Sequence, residues 1–275
     1  MSQPPQYLIC LAAGALLMCS GVCFGRAQTY RDFITPTPLG QNETLILGVN
    51  GGREPWNNDK HCVRRLALKL RSMNLPGVFV ETIENKNRSL AIELITNAFD
   101  RNRDGKLDEQ ERKSARLILY GQSFGAAAVV KLSKELKQIG VPILLTVQID
   151  SVGRDDAIIP SNVSAAANFF QRNGWFIRGE PEIHAEDPAQ TTIIGNFRSD
   201  YSHSSIDISQ VSWMKKSFRF AHTRMEYDEE VWNRVEGLIL DSIKAGVQST
   251  GFSRAVLSFN NYSTHSSTTR LKPVL

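Results

Sequence analysis

Between residues 44 and 149 the chain repeats one alternation: a short apolar run, then a stretch whose apolar residues recur at helical spacing. The runs are 44–49 (Thr-Leu-Ile-Leu-Gly-Val), 77–83 (Gly-Val-Phe-Val-Glu-Thr-Ile), 116–120 (Arg-Leu-Ile-Leu-Tyr) and 141–149 (Val-Pro-Ile-Leu-Leu-Thr-Val-Gln-Ile). They have strand length and largely lack the polar alternation of a half-exposed strand. Between them, 60–73 places Val63, Leu66, Ala67 and Leu70 on one helical face, and 89–99 and 124–139 also read as helices. Apolar strands separated by helices require a parallel sheet covered on both sides. The expected fold class is therefore α/β, a mostly parallel sheet with helices on both faces. The second half is less regular: 162–171 reads as a helix, 192–197 as a strand and 229–245 as an amphipathic helix.

With 41% hydrophobic and 22% charged residues, the composition excludes a disordered chain, a collagen-like repeat, a coiled coil and a polytopic membrane protein. The net charge of +4 is scattered along the chain, and nucleic-acid binding, which needs a basic face or stripe, is not expected. Residues 7–24 carry no charge and are strongly apolar, with small residues near Gly25 and Ala27. Residues 1–27 read as a signal peptide or N-terminal anchor, although 1–6 contain no Lys or Arg. The protein is expected to be exported: periplasmic, secreted or anchored at the outer face, touching a membrane only through this segment. Of the four cysteines, Cys10, Cys19 and Cys23 lie there, and cleavage would leave Cys62 without an internal disulfide. Cys62 is expected to be a buried small hydrophobe. Residues 249–275, rich in Ser, Thr and Asn, read as a tail, leaving 28–248 for the folded domain.

Gly121-Gln122-Ser123-Phe124-Gly125 is a G-x-S-x-G sequence. On its own the pattern is weak. Its position is more informative, because it follows the 116–120 strand directly and opens a helix. That is the sharp strand-to-helix turn which lifts a serine hydroxyl clear of a sheet edge. A serine nucleophile needs a base and an acid to orient that base. The expected chain order is serine, acid, histidine. Asp150 ends the next strand, on the same edge as Ser123. Of the histidines that come later, His184, His203 and His222 lie within the expected domain. His222, just before the last helix, is the first choice for the base, with His203 second.

These segments resemble an α/β-hydrolase of the lipase, esterase or thioesterase kind. The resemblance covers about 44–245 and rests on 120–125 (Tyr-Gly-Gln-Ser-Phe-Gly), 148–152 (Gln-Ile-Asp-Ser-Val) and 221–228 (Ala-His-Thr-Arg-Met-Glu-Tyr-Asp). It implies attack by Ser123 on an ester or thioester carbonyl, His222 carrying the proton and Asp150 orienting His222. In the commonest family pattern the acid follows a later strand, so Asp155, Asp156, Asp187 and Asp200 stay open. The backbone N–H of Phe124 is the expected first oxyanion donor. Gly51, in the 50–52 loop (Asn-Gly-Gly), is the second, although the family's frequent His-Gly is absent there. The expected substrate is a small ester, thioester or lipid.

A second motif precedes the first. Residues 100–111 (Asp-Arg-Asn-Arg-Asp-Gly-Lys-Leu-Asp-Glu-Gln-Glu) resemble the twelve-residue EF-hand loop. Side-chain oxygens of Asp100, Asn102, Asp104 and Asp108, the Lys106 carbonyl and a bidentate Glu111 would hold Ca2+, with Gly105 at the turn. Arg101, Arg103, Lys106 and Arg112 weaken the local negative potential, so a structural and weak calcium site is expected. The alternative function is an EF-hand calcium-binding protein on a hydrolase-like scaffold without turnover. Asn42, Asn87, Asn162 and Asn261 stand in glycosylation sequons, which matter only in a eukaryotic secretory host.

Overall fold

A computed structural model describes residues 26–173, 177–202, 206–209 and 221–247. The signal or anchor segment up to residue 25, the tail 249–275 and His203 lie outside the described residues.

The elements run β1 (Thr44–Asn50), α1 (Cys62–Ser72), β2 (Val78–Glu84), α2 (Arg88–Phe99), α3 (Glu109–Ser114), β3 (Leu117–Gln122), α4 (Phe124–Gln138) and β4 (Ile143–Ile149). There follow β5 (Ile158–Ile159), β6 (Val163–Gln171), β7 (His184–Ala185), β8 (Thr192–Ser199), a helical stretch α5 (221–226) and α6 (Glu229–Val247). Six strands form one sheet in the order β2-β1-β3-β4-β6-β8, and each neighbouring pair is parallel. β5 and β7 form a separate parallel pair.

The pleat sorts the strand side chains between two cores. Leu45 and Leu47 of β1 and Leu117 and Leu119 of β3 join α2 and α4 through Leu94, Ile95, Val129 and Leu132. The intervening Ile46, Ile118 and Tyr120 face α1 and α6 through Val63, Leu66, Val235 and Ile239. Every residue of β1 and β3 is buried, which is why their sequences are apolar on both faces. This is the expected doubly covered, parallel α/β sheet.

One element differs from the sequence expectation. Residues 163–171 form a central strand rather than a helix, buried at all positions but Ser164. Ala165, Ala167 and Phe169 face one core while Val163 and Ala166 face the other. The Ala-Ala-Ala run favours a helix locally. Two-sided burial between β4 and β8 outweighs that preference.

The order places the site. From β1 the chain moves outward to β2, then returns past β1 to β3 and on towards β8. The reversal lies between β1 and β3, and in such sheets the crevice at the carboxyl ends of the strands flanking the reversal is where ligands bind. The residues leaving those two ends are Gly51 and Ser123.

Candidate active site

Ser123 has φ 60° and ψ −126°, a left-handed conformation for a residue with a Cβ. Such backbone costs about 1–3 kcal/mol and persists only where its surroundings impose it. Here its N–H donates to Ile149 O at 2.9 Å, and its carbonyl accepts from Ala126 N at 3.0 Å and from Ala127 N and Val152 N at 3.3 Å. The turn also needs Gly125, where a Cβ would stand 2.1 Å from the Val49 carbonyl oxygen. The backbone is thus fixed from both sides, while Ser123 Oγ makes no hydrogen bond among the described residues.

At the end of the adjacent strand, Asp150 is fully buried. Its Oδ2 accepts from His222 Nδ1 at 2.6 Å and from Gln171 Nε2 at 3.0 Å, and its Oδ1 accepts from the Gln171 N–H at 3.3 Å. His222, on α5, is also buried. With Nδ1–H given to Asp150, the ring's lone pair lies on Nε2, where the Gln122 side-chain amide donates at 3.2 Å. Gln122, the residue before Ser123, therefore holds Nε2 as an acceptor and fixes the tautomer in which that nitrogen is basic.

α5 is anchored on several sides. Trp232 Nε1 donates to Met225 O at 3.1 Å, and Arg65 donates to the Glu226 carbonyl at 2.9 Å. The Tyr201 hydroxyl donates to Asp228 Oδ2 at 2.6 Å, and burial together with that carboxylate pushes the phenol well above its ordinary pKa. Asp228 in turn caps α6 through the N–H groups of Glu230 and Val231.

The Phe124 N–H occupies the first turn of α4, where a helix has no acceptor of its own for it. Gly51 packs against Ser123: a Cβ there would lie 3.0 Å from Ser123 Cβ and 2.6 Å from Gln122 O. Asn85 Nδ2 holds this loop by donating to Asn50 O at 3.1 Å and Gly52 O at 2.6 Å.

The structure thus brings Ser123, Phe124, Gly51, Asp150 and His222 to one edge. The four other aspartates are engaged elsewhere or exposed. Asp155 is exposed, Asp156 accepts from the Ser151 hydroxyl, and Asp187 accepts from Ala189 N. Asp200 is held down to about 2, chiefly by the Ser202 hydroxyl and N–H. His184 is exposed in β7, 3.9 Å from Glu182. Gln122, Gln171 and Asn85 were not found from sequence, since nothing local marks a glutamine or asparagine whose partners lie on other strands.

In the 100–111 segment α2 enters and α3 leaves the loop. Gly105 has φ 83°, and its N–H donates to Asp100 Oδ2 at 2.8 Å. Asp104 N donates to Asn102 Oδ1 at 2.9 Å, and Lys106 N to Asp104 Oδ1 at 2.9 Å. Buried Glu111 accepts from Arg101 N at 2.8 Å, Asn102 N at 3.1 Å and Asp108 N at 3.0 Å. Asp108 caps α3 by accepting from Glu111 N at 2.8 Å. Leu107 is tucked into the core beside α2. No three of these carboxylates bring an oxygen each within 4.8 Å of one another; among the described residues only His61, Cys62 and Glu226 do so as donors.

In that second cluster the His61 ring stands between its partners, Nδ1 at 3.9 Å from Cys62 Sγ and Nε2 at 3.8 Å from Glu226 Oε1. Burial, and then the Glu226 carboxylate, push the Cys62 thiol well above its ordinary value, which keeps it protonated and unreactive. The cluster joins α1 to the helix carrying His222.

No helix among the described residues is long and apolar enough to cross a membrane. No protein-family model matches the sequence, and no curated protein matches it. Among solved structures, a cutinase-like protein from Cryptococcus sp. is similar at 12% identity, covering 73% of this chain and 95% of that one, with a TM-score of 0.41. An acetyl xylan esterase is similar at 11% identity, covering 72% of this chain and 98% of that one, with a TM-score of 0.34.

Proposed function

We propose that the chain is a serine hydrolase of small esters, thioesters or lipids that works through an acyl-Ser123 intermediate. The observation that carries this reading is the buried 2.6 Å bond from His222 Nδ1 to Asp150, formed at the sheet edge where Ser123 is held at φ 60°. Ser123 Oγ attacks the carbonyl carbon as its proton passes to His222 Nε2. Asp150 keeps the ring oriented and stabilises the imidazolium that forms. The carbonyl oxygen, now negative, is met by the N–H groups of Phe124 and Gly51. Collapse of the adduct expels the alcohol or thiol, which takes the proton from His222, and water then releases the acid by the same steps. Gln122 gives up its bond to Nε2 when the serine proton arrives. Catalytic hydrogen bonds that are absent without substrate often form only in the reacting complex.

The test is hydrolysis of para-nitrophenyl butyrate by purified wild type and Ser123→Ala. The wild type should turn over and the variant should fall to background with an unchanged circular dichroism spectrum. Equal rates would overturn the assignment.

The same chain binds calcium in the 100–111 loop, weakly and structurally. The donor chemistry, the Gly105 turn and the inward-facing Glu111 support this, and Lys106 would add its carbonyl. Because the carboxylates are spread beyond ligand spacing, binding must draw the loop together, which costs affinity. Export rests on residues 1–27 alone.

A further inference from the structure

Beside the nucleophile lies an open cleft of about 520 Å³ whose lining is charged on one side of the scale only. Lys86, Arg88, Lys131 and Arg154 line it, together with Phe124 and Val152, and no carboxylate does. The cations come from different parts of the chain: the loop after β2, the start of α2, the second turn of α4 and the loop after β4. Parallel topology brings all of these to the carboxyl edge, around the turn that carries Ser123.

Two of the cations are already neutralised, Lys86 by Glu84 at 3.2 Å and Arg88 by Glu135 at 2.9 Å. Lys131 and Arg154 are exposed and have no ion-pair partner among the described residues. Of the neighbouring acids, Asp156 is turned inward onto the Ser151 hydroxyl, and Lys134 donates to the Asp155 carbonyl at 2.6 Å rather than to its carboxylate. The Phe124 ring, 50% exposed, offers an apolar surface in the same cleft. Its own N–H is the oxyanion donor of the proposed reaction, so a group bound in the cleft sits next to the reacting carbonyl.

We propose that this cleft is a binding subsite for an anionic group of the substrate, a carboxylate, sulfate or phosphate. The hydrolase's natural ester or thioester then carries a negative charge within a few bonds of the scissile carbonyl. The inference rests on the serine-hydrolase reading and narrows its substrate class. Clefts lined by one sign of charge raise the local concentration and capture rate of the opposite charge by about 10- to 1000-fold, an effect that falls with ionic strength.

The experiment measures kcat/KM at low and high salt for two matched pairs. Para-nitrophenyl hemisuccinate against para-nitrophenyl butyrate places the anion on the acyl side. Para-acetoxybenzenesulfonate against para-acetoxybenzenesulfonamide places it on the alcohol side. The anionic member of at least one pair should be preferred by about tenfold or more at low salt, and the preference should shrink as salt rises. In the double variant Lys131→Glu/Arg154→Glu it should vanish or reverse, while rates on the neutral members stay unchanged. Both sites are exposed, so the fold should tolerate the change. Equal rates within both pairs, or a preference that survives the double substitution, would overturn the subsite while leaving the hydrolase reading intact. Failure to hydrolyse any of the four compounds would remove the hydrolase reading, and this inference with it.

Discussion

The edge carrying Ser123, Asp150 and His222 and the loop from Asp100 to Glu111 are both dense in polar groups, yet they are built in opposite ways. At the edge the decisive bond joins residues separated by 72 positions, and the Gln122–His222 contact spans 100. In the loop no side-chain bond from Asp100 or Glu111 reaches beyond ten positions. The edge exists only if the whole sheet forms, and burial makes each of its bonds costly to lose. The loop closes on its own nearby backbone N–H groups and needs no distant strand to do so. Local motifs show where chemistry can be assembled, whereas long-range burial decides where it is held rigid.

The largest expected effect comes from Asp150→Asn, which keeps the shape but no longer secures the Nδ1–H tautomer. It should lower kcat by about 10⁴-fold, measured on para-nitrophenyl butyrate. A loss below tenfold would mean that another group orients His222. Next comes Gln171→Met, which strips Asp150 of the side-chain donor at 3.0 Å. By analogy with residues that support metal ligands, a fall of about 10- to 100-fold in kcat is expected, with little change in KM. An unchanged kcat would make Gln171 a packing residue only.

The loop should respond more mildly. With a dissociation constant of about 1 mM, 10 mM calcium adds about 1.4 kcal/mol of stability. Differential scanning calorimetry should show a rise of a few degrees over chelator, absent in Glu111→Gln. No rise in the wild type would sink calcium binding. The smallest effect concerns Asp200, an exposed carboxylate satisfied by its neighbour Ser202 in the manner of the loop. Its folded value of about 2 lies below the unfolded value of about 3.9. Its contribution is therefore present above about pH 4 and is lost as pH falls towards 2. The melting difference between wild type and Asp200→Asn should close over that interval, and a constant difference would contradict the assignment.

Much of the fold could be read from the sequence because β1, β3 and β4 are buried almost throughout, which leaves near-continuous apolar runs. β6 could not, since Val163 to Gln171 is rich in small residues whose burial comes from neighbours on both flanks. That misreading also hid Gln171, whose role depends on ending a strand beside Asp150. That Ser123, Asp150 and His222 come to one edge was legible through motif and chain order. Gln122 and Asn85 were not, because each acts across the sheet on a partner that only the folded chain supplies.

Buried His222 and Asp150 should make Ser123 the serine that reacts with electrophiles. Incubating the folded protein with a fluorophosphonate probe and mapping the adduct by peptide mass tests it directly. A single adduct on Ser123, lost in His222→Ala and strongly reduced in Asp150→Asn, is the predicted result. An unlabelled protein, or labelling that survives Ser123→Ala, would contradict it.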